Sequence, residues 1–133
     1  MKFFVSGKVG VEGDARSVMN ALRAAGHEIT FDWTTIDHLR PYDENAAASR
    51  EAAVKESHGV KDADVLIVLP HDQGVGIYVE LGIAIGSGVP VRVVTNVESR
   101  TMFFHHPLVK KVDSLEQILK EFGVTAEKCT IAD

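Results

Sequence analysis

Apolar runs of four to six residues recur along the chain, separated by stretches with helical spacing. Lys2-Phe-Phe-Val-Ser6, Glu28-Ile-Thr-Phe31, the segment Asp64–Leu69 and Val91-Arg-Val-Val-Thr95 have the length and β-branched content of buried strands. Val109-Lys-Lys-Val112 is a shorter fifth candidate. Between the first two runs, Ala15, Val18, Leu22 and Ala25 form one helical stripe, with Asp14 as N-cap and Gly26 as the stop. Glu44 to Val60 reads as an alanine-rich helix, and Ile77 to Gly86 as an apolar one. Ser114 caps a last helix that turns Leu115, Ile118, Leu119 and Phe122 inward. Residues 36–43, with Pro41, read as loop; 98–107 read as irregular, and the tail from Gly123 carries no clear pattern. Strands alternating with helices predict an α/β fold, a parallel sheet covered on both faces. Five strands suggest a single flavodoxin-like or Rossmann-like domain over residues 1–133, with strand order 2-1-3-4-5.

Bulk properties narrow the function. The chain has 133 residues, 45% hydrophobic and 25% charged, with a net charge of -5. Without a basic cluster, nucleic acid and anionic membranes are not expected partners. A single phosphate is still within reach of a few backbone N–H groups. One cysteine, Cys129, excludes a disulfide framework and fits a reduced, cytoplasmic setting. Met1 to Ser6 is too short for a signal-peptide core, and no run approaches transmembrane length. The loop Ser6-Gly-Lys-Val-Gly10 lacks both the ATP and the dinucleotide fingerprints, and no cofactor is expected. His105-His106 does not make a metal site: neighbours in an extended segment point apart, and no cysteine or HExxH pattern supports them.

The chemistry concentrates in Gly74-Val-Gly-Ile-Tyr-Val-Glu-Leu-Gly82. With its flanking strands this is a βαβ unit, and its helix begins where open α/β sheets bind ligands. With the helix starting near Ile77, Glu80 sits in its first turn, with Gly76, Ile77, Ile83 and Ala84 as its neighbours at three and four residues. A carboxylate at a helix start is favoured by the helix dipole. Among apolar neighbours it also calls for a partner or a chemical task. The topology gathers Ser6-Gly7, Asp32-Trp33, Pro70 to Gly76 and Thr95-Asn96 at the same sheet edge.

Ala63-Asp64-Val-Leu-Ile-Val-Leu69, Gly74-Val-Gly76, Val79-Glu80-Leu-Gly-Ile-Ala84 and Gly88-Val-Pro-Val91 together resemble the nucleoside 2-deoxyribosyltransferase family, which includes deoxynucleoside 5'-monophosphate N-glycosidases. The resemblance runs, with gaps, from Lys2 to about Phe122. It implies a related α/β fold and cleavage of the N-glycosidic bond of a 2'-deoxynucleoside or its 5'-monophosphate. It also implies that Glu80 attacks the anomeric carbon, and that deoxyribose passes to another base or to water. A second family carboxylate, an aspartate, lies eight residues before the Ala-Asp strand start; here that position is Glu56. Asp72, in the loop before Glu80, is the rival second carboxylate. The close nucleotide hydrolases place one residue between the Gly-Val-Gly and the glutamate, whereas Ile77-Tyr-Val79 intervene here. The resemblance further implies a homodimer or higher homo-oligomer, because family active sites are completed by a neighbouring subunit. Phe103-Phe-His-His-Pro107 resembles the part that reaches across.

Substrate-binding candidates are Ser6, Gly7, Lys8, Asp32, Trp33, Gly74 and Gly76. Lys8 can pair with a phosphate or stand solvated in its loop. Trp33 can stack on a base or pack on the following helix. Asp32 can bind a base or sugar, or cap a turn. Gly74 and Gly76 can offer N–H groups, or simply permit a tight turn. A non-catalytic nucleotide sensor on the same fold is the alternative to an enzyme; it needs the crevice but not Glu80. A phosphorylated receiver domain needs an acidic pair after the first strand, where Ser6-Gly7 stands instead.

Overall fold

The computed structural model describes residues 1–8, 12–71, 74–95 and 98–124. Five parallel strands form one sheet in the order β2-β1-β3-β4-β5: β1 Lys2–Ser6, β2 Glu28–Ile29, β3 Val65–Val68, β4 Val91–Val94 and β5 Val109–Val112. The register places Phe3 opposite Val65 and Ser6 opposite Val68 on one side of β1, and Phe3 opposite Ile29 on the other. All four residues of the central strand β3 are buried, as a parallel strand covered on both faces requires. At the edge, β5 exposes Lys110 and Lys111, charges that discourage further pairing. The helices are α1 Glu12–Ala24, α2 Ala46–Asp62, α3 Gly76–Gly86 and α4 Leu115–Glu121.

Alternation along β1 assigns the two faces. Phe3 meets the rings of His27 and Phe122, the ends of the α1 and α4 units. Phe4 points the other way, against Gly59 of α2. Ser6 has the parity of Phe4 and so faces the layer formed by α2 and α3. Asp64 ties the start of β3 to β1: Lys2 N–H donates to its carboxylate at 2.7 Å, and its own N–H donates to the Lys2 carbonyl at 2.8 Å.

Several boundaries differ from the sequence reading. α1 begins at Glu12, so Asp14 lies inside the helix and does not precede it as a cap, and α3 begins at Gly76, which puts Glu80 past its first turn. β2 keeps only two residues, because the chain leaves the sheet to be capped by Asp32 in a 3-10 turn over Trp33–Thr35. The helix expected from Glu44 opens as a 3-10 turn, Tyr42–Asn45, before α2 proper. Within 98–107, Met102–His105 forms another, capped by the Thr101 hydroxyl. Among the described residues, no helix is long and apolar enough to cross a membrane.

Candidate active site

At the carboxyl end of β1, Ser6 is fully buried and its hydroxyl donates to Glu80 Oε1 at 2.7 Å. The sheet thereby grips the one carboxylate of α3. Glu80 borders a cleft of about 380 Å³ that also holds Glu56 of α2. These are the two carboxylates of its described lining. Burial raises the Glu56 carboxyl above its ordinary value. Glu80 is pushed up to about 8. Withdrawal from water is the main cause; the Ser6 hydrogen bond lowers the value, and the negative charge of Glu56 raises it. One carboxyl in this pair therefore keeps its proton at neutral pH, and it can act as a nucleophile only after losing it.

Basic groups lie in the same cleft. Lys8 lines it from the loop after β1, and Arg40 and Tyr42 from the segment before α2. The Arg40 guanidinium sits 5.7 Å over the Tyr42 ring, and its Nε donates to the Tyr42 hydroxyl at 3.2 Å. The cleft thus combines two carboxyls with two cationic side chains. A larger apolar groove, about 760 Å³, runs along another side of α3 past Tyr78, Leu81, Ile85 and Phe103. Its described lining contains no carboxylate.

The sequence candidates divide. Glu80, Glu56, Gly7, Lys8, Trp33, Gly74 and Gly76 all border the cleft. Ser6 does not border it but touches it through Glu80. Trp33 is 7% exposed, and its indole N–H donates to the Val5 carbonyl at 2.7 Å. Most of the ring is thus committed to the core, and a narrow surface remains for the cleft. Asp32 is outside the lining: it caps Thr34 N–H at 3.0 Å and pairs with Arg23 at 2.9 Å. Burial raises its carboxyl, but the bonds from Thr34 and Arg23 more than offset this and hold it below the ordinary value. Thr95 donates its N–H to Val112 and is absent from the lining. Asp72, Asn96 and Cys129 lie outside the described residues. His106 Nδ1 accepts the Leu108 N–H within its own turn.

Sequence reasoning passed over His71, Arg40, Tyr42 and Ser57, which also line the cleft. His71 had a usable signal, its place directly after β3. Arg40 and Tyr42 had none, since their loop does not end a strand.

No protein-family model matches the sequence, and no curated protein matches it. Among solved structures, the chain is similar to the CMP N-glycosidase BcmB of Clostridium botulinum, with a TM-score of 0.65 at 14% identity. The match covers 92% of this chain and 97% of that one. At that identity the likeness establishes the fold.

Proposed function

We propose that this protein is an enzyme that cleaves the N-glycosidic bond of 2'-deoxynucleosides or their 5'-monophosphates. Glu80 attacks C1', the base departs, and the sugar passes to another base or to water. The observation that carries this reading is the half-buried Ser6–Glu80 hydrogen bond beside a second carboxyl, Glu56, in a cleft at the strand ends. Breaking a glycosidic bond builds positive charge on the sugar, which a held carboxylate can stabilise or trap covalently. Glu56 is the second carboxylate, placed to hold the sugar. Lys8 and Arg40 suit a substrate with an anionic group, which favours the 5'-monophosphate. The fold likeness to a CMP N-glycosidase supports the same reaction class.

The active form is at least a dimer. Its support is α3, whose only ionisable residues are Tyr78 and Glu80, and whose apolar surface is not fully covered: Val79 is 64% exposed, and the separate turn Met102–His105 leaves Met102 at 77% and Phe103, which lines the apolar groove, at 48%. An apolar helix is ordinarily buried all round.

The test is base release from panels of nucleosides and nucleotides, ribo and deoxy, with and without an acceptor base. Wild type should release free base from at least one deoxy substrate. Glu80→Gln should lose several orders of magnitude while keeping its circular dichroism spectrum. Activity of Glu80→Gln within a few fold of wild type removes Glu80 as nucleophile.

A further inference from the structure

A base leaving C1' takes the bonding electron pair with it and needs a proton or a strong hydrogen bond. The imidazole of His71 borders the same cleft as Glu80 and Glu56, in the loop between β3 and the helix that carries Glu80. Its Nδ1 is shut off from water and has no hydrogen-bond partner, the one such side-chain atom among the described residues. A buried polar atom left unpaired is costly, and native structures rarely keep one without a use. The ring also has a prepared seat. A Cβ at Gly74 would collide with the imidazole, so the bare backbone there is what lets the ring lie down. By contrast, a Cβ at Gly76 meets open space.

Resting on the glycosidic reading above, we propose that His71 is the acid that protonates the departing base. The C1'–N bond breaks and its electron pair stays on the base nitrogen. A carboxylate oxygen of Glu80 forms the new bond to C1', and the imidazolium N–H proton passes to the base. In the second half water attacks C1', the ester pair returns to Glu80, and the proton lost by water restores the imidazolium. Glu56 is left free to hold the sugar. The partner that Nδ1 lacks in the resting protein is supplied by the ligand once the ring turns in its seat.

The experiment varies the leaving group. Wild type, His71→Gln and Gly74→Ala are compared on the best substrate of the panel and on the same sugar carrying 4-nitrophenolate, which departs without a proton. His71→Gln should lose about 10²-fold in kcat on the natural base and stay within a few fold on the nitrophenyl compound. Gly74→Ala keeps the histidine but unseats the ring, so it should show the same selective loss even if His71→Gln folds poorly. Equal losses on both substrates, or no loss on either, overturn the proposal and leave the glycosidic reading standing. If wild type releases neither base nor nitrophenolate, the reaction class itself fails and the proposal with it.

Discussion

Glu80 has two neighbours that push its proton in opposite directions. Ser6 donates to it and lowers its pKa, while Glu56 raises it by charge. With the value about 8, kcat/KM should have its ascending limb near that pH, since Glu80 must be ionised to attack. Ser6→Ala should move this limb to higher pH and Glu56→Gln to lower pH; a shift of both in one direction would contradict the geometry. Stability follows the opposite sign. Unfolded, the group titrates near 4.5; folded, near 8, so the native state binds the proton more tightly. The stability tied to that proton is complete below pH 4.5 and is lost as pH rises through 8. Glu80→Gln, which never ionises, should melt several degrees above wild type at pH 8.5 and beside it at pH 4.5, by calorimetry. Glu80 was legible in the sequence because it is a lone carboxylate in an apolar stretch. His71 was not singled out, because an unpaired buried nitrogen exists only once its ring has packed against Gly74. Asp32 looked like a site residue for a local reason: a strand-end aspartate serves equally well as a cap, and here Thr34 and Arg23 occupy it.

At the scale of elements, strands were easier to read than helix starts. Val65–Val68 and Val109–Val112 announce themselves by β-branched content between turn residues. The polar stretch before α2 has no apolar period, so nothing in it told that Arg40 and Tyr42 would reach the cleft. Gly59 shows a second kind of hidden constraint. It lies inside α2, where glycine is unfavourable by about 1 kcal/mol relative to alanine. Yet a Cβ there would stand 3.0 Å from Phe31 Cβ and 3.1 Å from the Phe4 ring. The helix rests directly on the sheet at this point. Gly59→Ala should therefore destabilise by about 1–2 kcal/mol despite the gain in helix propensity, as read from urea midpoints. It should also lower activity, because the same helix carries Glu56 into the cleft.

For the whole molecule, the sequence prefigured the strand order, since chain alternation and right-handed crossovers leave few arrangements. The proposed association had one signal in the sequence, the apolar Met102-Phe103-Phe104 run. The fold divides it: Phe104 goes inward to stack on Tyr78 at 6.1 Å, while Met102 and Phe103 stay outside. Sedimentation should give a dimer or larger for wild type, and Met102→Lys with Phe103→Lys should give a folded monomer of reduced activity. A full-activity monomer in wild type would rule out a shared site. The proton retained on Glu80 also has an electrical consequence. The molecule carries a net charge of -5, which repels anions at long range. Below pH 8 the cleft is one unit less negative than its residues imply, so Lys8 and Arg40 face Glu56 alone. An uncleavable sugar-phosphate analogue should then lose affinity as pH climbs past 8 and take up a proton as it binds, and Glu80→Gln should bind it with no such loss. The resting protein would thus admit an anion through a door that Glu80, once ionised, begins to close.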